Sequence, residues 1–504
     1  MHSTCSDQLL ARYAEIVEAQ LGLRYPSERW GDLARGFDSA ARDLGFPDTG
    51  SFLSRLLVVP AEGRETAALA RQLTIGETYF FRDENQFTIL ETDVLPGLIR
   101  SRRATERRLR IWSAGCASGE EPYSVAILLT RLIPDLADWN VTILATDVNS
   151  QFLGKASQGA YTDWSFRSAP SWLKQRYFHP NKEGLFQLLP RIKKMVTFSY
   201  LNLAEDAYPT LLSNTNAIDL IICRNVLMYF TPAMAQKVIH KFHRSLAEGG
   251  WLLVAPSETS HILFSSFSTV EFSGAFLYRK ATDNEPLPSF YPFDSSLDSI
   301  LEHHAEPETV PENAHCSAVN IHPPEMVEQP NNAYDEALTL YNDGRYSDAT
   351  DKLTSLLSDS LVVDARSLTL LTRAYANAGK LREALTCCEQ AIAADRLVPS
   401  LYYLRATILH EQNQLEEAAA SLKQALYLDP DFVLGHFALG NHALTRGLHK
   451  QARKHFDNAL RVLARHSPEE VLPESDGITA GRLAEIIQSA TTWSLQHGQE
   501  QHSL

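Results

Sequence analysis

The sequence predicts an α/β protein: a doubly wound, mainly parallel sheet, preceded by a small helical domain and followed by an all-α repeat array. Three observations carry this. Between residues 86 and 281, short apolar runs alternate with amphipathic stretches, as in a sheet covered by helices on both faces. Within that region, Leu109–Ser124 reads as strand, glycine-punctuated turn and helix. Beyond residue 340, small residues return with a period near 34.

At 504 residues the chain calls for two or three domains. Its 46 basic and 61 acidic residues leave a formal charge of −15, which argues against nucleic acid as a main partner. No apolar run is long enough to span a bilayer, so direct membrane insertion is not expected. Met1–Asp7 shows neither the basic nor the apolar region of a secretory leader, and the expected location is the cytoplasm. Six cysteines, at 5, 116, 223, 316, 387 and 388, have no spacing of a zinc site or disulfide framework. They read as ordinary thiols of a reducing compartment.

Residues 1–85 form the helical domain, with Leu9, Leu10, Tyr13, Ile16 and Val17 at helical spacing. It also carries Arg24, Arg29, Arg35, Arg42, Arg55, Arg64 and Arg71. In 86–281, the runs Leu109–Ala114, Val141–Thr146, Val196–Leu201, Ile218–Cys223 and Trp251–Ala255 are expected buried parallel strands, and Phe276–Tyr278 a closing edge strand. Ligands of such sheets bind beyond the C-terminal strand ends, where Gly115, Asp147, Asn202 and Arg224 fall. Residues 282–332 hold eight prolines and ten acidic residues without lysine or arginine, the composition of an extended, disordered linker. In 333–467, Gly344, Gly379, Asn413 and Gly447 lie 35, 34 and 34 residues apart, each followed five residues later by alanine. This pattern resembles the tetratricopeptide repeat, with Asn413 and Leu356 as departures from the usual glycine and small residue. Residues 468–504 include an expected capping helix, Ala480 to Trp493, and a tail.

The turn after Ala114 carries chemistry. Gly115 and Gly119 let backbone approach a ligand closely, and Pro122 suits the start of a helix. A helix N-terminus favours anions, but Glu120 and Glu121 reverse the local sign. Backbone donors beside fixed carboxylates suit a ligand with both a carboxylate and an ammonium. The amino-acid end of S-adenosylmethionine fits better than a dinucleotide pyrophosphate, whose glycine fingerprint is missing.

Five segments in order strengthen this: Thr74-Ile-Gly-Glu-Thr-Tyr-Phe-Phe-Arg82, Ser113 to Ser124, Ala145-Thr-Asp-Val-Asn149, Phe198-Ser-Tyr-Leu-Asn-Leu203 and Cys223-Arg-Asn-Val-Leu-Met-Tyr-Phe230. Together they resemble the chemotaxis-receptor glutamate O-methyltransferases (the CheR family). The resemblance implies a doubly wound S-adenosylmethionine-dependent methyltransferase domain over 86–281, with a small β-subdomain near 172–196. It implies S-adenosyl-L-methionine as cofactor and the cytoplasmic domain of methyl-accepting chemotaxis-type receptors as partner. A basic face of the helical domain would meet the acidic receptor bundle, and the repeats would bind a further protein. The short turn His179–Gly184 departs from the glycine-rich loop that docks a receptor tether in some members, leaving targeting to the repeats.

Methyl transfer from a sulfonium to a carboxylate is an in-line displacement. Glutamate, with a pKa of about 4.3, is ionised at neutral pH, so neither general base nor metal is required. Binding, desolvation and alignment remain for the enzyme. Asp147 would accept the ribose hydroxyls, or else form an Asx turn or cap before Asn149. Glu120 or Glu121 would meet the ammonium. Asn202 and Leu203 would contact the adenine, unless Asn202 only caps the next helix. Thr78 and Arg82 would reach the cofactor, Arg82 through its fork on the carboxylate. Gly76 stands where the family often has asparagine. Arg224 would hold the incoming glutamate or the cofactor carboxylate. Tyr229 would lie beside the methyl as a cation–π partner or pack in the core. Gly115, Cys223 and Asn225 complete the set, Cys223 through its backbone. The alternatives are a non-catalytic repeat scaffold, or a methyltransferase for another protein or small-molecule carboxylate.

Overall fold

The computed structural model describes residues 7–58, 63–103, 106–205, 208–210, 213–272, 274–281, 332–359, 364–475 and 478–488. The expected linker up to residue 331, the helix end at Trp493, and Cys5 and Cys316 lie outside these residues.

Helices Asp7–Leu21, Trp30–Asp43, Thr49–Val58 and Gly63–Leu73 open the chain. Their apolar faces meet in one core built on Tyr13, Phe37, Phe52 and Leu69, with the Tyr13 and Phe37 rings stacked 4.7 Å apart. Several of the arginines pair inside this domain: Arg29 and Arg35 with Asp32, Arg55 with Glu65 and Arg71 with Asp43. They are therefore not all available to an acidic partner.

Among the described residues ten strands follow: β1 (Arg108–Ala114), β2 (Asn140–Asp147), β3 (Ala160–Tyr161), β4 (Phe178–Pro180), β5 (Phe186–Leu188), β6 (Val196–Tyr200), β7 (Ile218–Cys223), β8 (Leu246–Val254), β9 (Ser268–Phe272) and β10 (Ala275–Arg279). Seven form one sheet in the order β6-β2-β1-β7-β8-β10-β9. The first five are parallel, and β10 pairs antiparallel with both β8 and β9. Alternation along β1 supplies both faces, Leu109 and Ile111 to one core, Trp112 and Ala114 to the other. Helices Glu120–Leu132 and Pro232–Ser245 cover the opposite faces. The strand order reverses between β1 and β7, and ligands of such sheets lie at that switch point.

Two expectations are corrected. The Phe276–Tyr278 run belongs to β10, which sits between β8 and β9, so β9 is the edge. The sequence Ser-Thr-Val-Glu-Phe of β9 lacks a continuous apolar run because an edge strand is covered less completely. The small sheet β3-β5-β4 also starts earlier than residue 172, at Ala160.

The described C-terminal residues include four helix pairs: Asn332–Asn342 with Tyr346–Asp359, Ala365–Asn377 with Leu381–Ala394, Pro399–Glu411 with Leu415–Leu428, and Val433–Thr445 with His449–Leu463. Gly344, Gly379, Asn413 and Gly447 turn each pair with positive φ. Asparagine is among the side chains best able to adopt that conformation, which explains the departure at 413. Ala349, Ala384, Ala418 and Ala452 are buried where the paired helices meet, and Leu356 is only partly buried in the first pair. A helical stretch over 480–488 packs Leu483 and Ile487 onto the last pair.

The repeats lean on the sheet through these turns. Glu411 Oε2 lies 2.8 Å from Arg110 Nη1 and 3.3 Å from Arg108 Nη1, and Asn140 Nδ2 donates to the Glu411 carbonyl at 2.7 Å. Arg108 and Arg110 belong to β1, and Asn140 opens β2, so this seam runs along the N-terminal strand ends. The strand ends that open on the ligand side lie opposite. Among the described residues no helix is long and apolar enough to cross a membrane.

Candidate active site

The C-terminal ends of β1, β2, β6 and β7 open into one cleft, about 1050 Å³ with its open mouth included. Thr78, Arg82, Gly115, Glu121, Asp147, Asn202, Leu203, Arg224, Asn225 and Tyr229 all line it. The structure therefore brings together ten residues from five separated segments. Glu120 and Cys223 are not among the lining residues. Glu120, the first residue of its helix, accepts from Ser118 Oγ at 2.7 Å and Ser165 Oγ at 2.9 Å, and so braces the 163–166 turn. Cys223, in the centre of the sheet, is fully buried in the core beneath. Gly119 is corrected as well: a Cβ there would come within 2.8 Å of Ala156 Cβ, so its smallness serves helix packing. At Gly115, with φ +83°, an added Cβ would meet Val226 at 2.4 Å, inside the cleft.

Asp147 ends β2 with its oxygens on two backbone donors, Ala117 N–H and Asn149 N–H, both at 2.8 Å. The Asx turn thus exists, while the cap of the next helix is Asn149. Each carboxylate oxygen can still accept a further hydrogen bond. Burial pushes the Asp147 pKa up to about 6, opposed by the N–H groups of Asn149, Ala117 and Val148. Hydroxyl donors of a ligand favour the ionised form, so ligand affinity should fall as pH drops through the free-protein value. Binding of S-adenosylhomocysteine is expected to weaken about tenfold between pH 7.5 and pH 5 by this linkage. Titration calorimetry at the two pH values checks it, and a constant affinity would remove Asp147 from ligand contact.

Glu121 accepts from Ser113 Oγ at 2.7 Å and faces Arg224 Nη1 at 3.3 Å. Burial raises its pKa, and Arg224 is the main opposing influence. Arg224 also donates to the Arg82 carbonyl at 2.8 Å and pairs with Asp83. Its guanidinium is thus largely committed to positioning neighbours. Asn202 donates to the Gln20 carbonyl at 2.8 Å and to Glu205 Oε1 at 3.1 Å, and accepts from Ala204 N–H. Its side chain holds the loop that forms the cleft wall. Tyr229 is half-buried rather than in the core. Non-glycine residues with positive φ gather here: Phe81 (57°), Asp83 (61°), Ala117 (45°) and Asn225 (56°). Backbone strain of this kind concentrates at functional sites.

Gly76 gains a physical reason. A Cβ there would lie 2.4 Å from the Phe152 ring, which itself lines the cleft. Gly76→Asn should therefore overpack the wall and cost about 1–3 kcal/mol. Adding Phe152→Ala should recover part of that loss. Thermal unfolding of the single and double variants measures it; a neutral single variant would contradict the packing argument.

Sequence reasoning missed the helical domain's share of the cleft. Leu21, Leu23, Arg24, Tyr25 and Arg29 form one wall. Leu23 bridges to Phe230, and Arg24 N–H donates to the Tyr229 carbonyl at 2.7 Å. It also missed Glu258, whose buried carboxylate accepts the N–H groups of Asn225, Val226, Met228 and Ala255. Apart from the local Ala255–Glu258 bond, these contacts join residues far apart in sequence, and no local pattern announces them.

The residues suit a ligand with an amino acid at one end and a nucleoside at the other. A carboxylate at the end of β2, Glu121 and the Arg82 guanidinium share one cleft. Asn225 Oδ1 and Arg224 Nε are buried there without a hydrogen-bond partner among the described residues, as expected of groups that await a ligand.

Residues 76–273 match the family described as "CheR methyltransferase, SAM binding domain", and residues 406–442 match "TPR repeat". "Chemotaxis protein methyltransferase 2" of Vibrio cholerae is 34% identical over 220 residues, 44% of this chain and 75% of that protein. "Chemotaxis protein methyltransferase" of Borreliella burgdorferi is 31% identical over 252 residues, 50% of this chain and 87% of that protein. "Probable biofilm formation methyltransferase WspC" of Pseudomonas aeruginosa is 26% identical over 457 residues, 88% of this chain and 98% of that protein.

Proposed function

Since this chain belongs to the CheR methyltransferase family, we propose that it methylates glutamate side chains on the cytoplasmic domains of methyl-accepting chemotaxis-type receptors. The methyl donor is S-adenosylmethionine. The observation that carries the reading is the convergence of Asp147, Glu121, Arg82, Arg224 and Tyr229 on one cleft at the switch point.

When bound, S-adenosylmethionine supplies a sulfonium-activated methyl group. Asp147 accepts the ribose hydroxyls, Glu121 meets the ammonium and Arg82 the carboxylate. Thr78 and the backbone at Gly115 complete that end, while Asn202 and Leu203 take the adenine. Arg224 and Asn225 keep this wall in place, with Arg224 opposing the upward push of burial on the Glu121 pKa. The substrate carboxylate enters beside Tyr229, whose ring face suits a neighbouring cation. The acceptor is already an anion, so alignment and exclusion of water are the work left to the protein.

The repeats serve protein recognition. The relative that aligns along nearly its whole length carries a biofilm-formation name. That favours a receptor controlling surface growth over one controlling motility, with the reaction in the cytoplasm. The test is transfer of radiolabelled methyl to purified receptor cytoplasmic fragments, followed by alkaline hydrolysis. Labelled protein that releases methanol in base supports a carboxyl ester. Labelling of free carboxylic acids in preference to receptor fragments, or base-stable label, defeats the proposal.

A further inference from the structure

The last helical stretch of the repeat region, over 480–488, reaches past the repeats to the other side of the cleft wall. Arg482 Nε lies 2.9 Å from Glu205 Oε2, and its guanidinium sits 4.7 Å above the Tyr200 ring. A second pair, Arg482 with Glu485 at 2.6 Å, holds the side chain from its own helix. Arg482 is only 17% exposed at its side chain, so solvent screens these contacts less than it would screen a surface pair.

The target of this contact is the loop that leaves β6. Tyr200 ends the strand, and Leu201, Asn202 and Leu203 line the cleft. Glu205 turns back on that loop, with its other oxygen accepting from Asn202 Nδ2 at 3.1 Å. Its carbonyl, like that of Leu203, receives the Lys241 ammonium, at 2.6 Å and 3.1 Å. One continuous chain of contacts therefore runs Arg482–Glu205–Asn202 into the cleft.

We propose that Arg482 is a positioning residue of the cofactor site, so that the repeat region completes the wall against which the nucleoside end binds. The inference rests on the reading of the cleft as an S-adenosylmethionine site. Arg482 touches no ligand itself. It neutralises Glu205 and clamps Tyr200, and so fixes the carboxylate that orients Asn202. Without it, Glu205 is free to turn to solvent, and the loop exchanges among conformations of which only some accept adenine.

The test uses the full chain and calorimetric titration of S-adenosylhomocysteine. Arg482→Ala should weaken binding roughly five- to tenfold, the size expected for coupling within one network. Arg482→Lys, which keeps the charge opposite Glu205, should recover part of the affinity. In a Glu205→Gln background, Arg482→Ala should have a clearly smaller effect, limited to the loss of the Tyr200 contact. Glu485→Gln, which breaks only the pair within the helix, should leave affinity unchanged. With saturating receptor fragment, the KM for cofactor should rise while kcat stays constant. Wild-type affinity in Arg482→Ala, or an undiminished effect in the Glu205→Gln background, would overturn the proposal. If Arg482→Ala does not fold, wild-type affinity in both Arg482→Lys and Glu205→Gln overturns it instead. Absence of binding to the wild-type chain would defeat the cofactor reading itself, a result distinct from either.

Discussion

Asp147→Ala is expected to reduce the affinity for S-adenosylhomocysteine by about a thousandfold, equivalent to roughly 4 kcal/mol. The loss has two parts. A carboxylate that accepts two hydroxyls makes charge-assisted hydrogen bonds, each worth about 1.5–3 kcal/mol. The same substitution strips the partner from the N–H groups of Ala117 and Asn149, and a buried orphaned donor costs about 1–3 kcal/mol. That second part falls on the free protein too, and loosens the turn that follows β1. Asp147→Asn separates the two. Its side-chain oxygen retains one acceptor site, so it should bind between the wild type and the alanine variant. Calorimetry on all three proteins, with circular dichroism to verify folding, reads the result. Affinity within tenfold of wild type for the alanine variant would show that the ribose is held elsewhere.

The second large effect concerns the seam between the repeats and the sheet. Glu411→Ala should destabilise the docked arrangement by about 3–5 kcal/mol, the cost of breaking a buried pair from one side. The side chains of Glu411 and Arg110 are each 3% exposed, and that of Arg108 is 8% exposed. Surface-pair values therefore do not apply. Burial lowers the Arg110 pKa, and Glu411 is the largest influence opposing it. Asp219 adds a smaller favourable charge, but it accepts the Arg110 backbone N–H and pairs with Arg102 at 2.6 Å. The expected result is a split thermal transition, with the repeat region melting before the sheet, where the wild type unfolds more cooperatively. Exchanging Arg110 and Glu411 together for methionine and leucine should cost less than Glu411→Ala, because the most buried cation leaves with its partner while Arg108 keeps Glu106 at 3.7 Å. A single unchanged transition for Glu411→Ala would mean that the seam contributes nothing to stability.

These two sites show what kinds of information a chain carries on its surface. The strands of the sheet were legible because complete burial on both faces demands apolar runs, as in Ile218–Cys223. The repeats were legible because each turn and close helix crossing demands a left-handed or small residue at a fixed offset. β9 was not, since an edge strand is covered on fewer sides and its pattern is diluted. Asp147 stood out because it sits in a local motif at a strand end, and Arg82 because it closes the contiguous segment 74–82. Tyr25, Glu205, Glu258 and Arg482 did not, because each acts through a partner remote in sequence.

The sequence by itself determined the class of the protein: a doubly wound domain with a glycine-punctuated turn followed by two carboxylates, joined to a 34-residue repeat. Local sterics and burial write those features into neighbouring residues. Only the tertiary structure placed Glu121 on the cleft and Glu120 off it, since adjacent residues at a helix start point in different directions and Glu120 meets Ser165 instead. It also decided that Cys223 belongs to the core and that Phe152 fills the volume beside Gly76. Finally, it placed the repeats against the N-terminal strand ends, away from the mouth of the cleft, with Arg482 reaching round to the loop after β6. That placement depends on which charges find each other across some 300 residues of chain, as Arg108 and Glu411 do, and no local pattern encodes it.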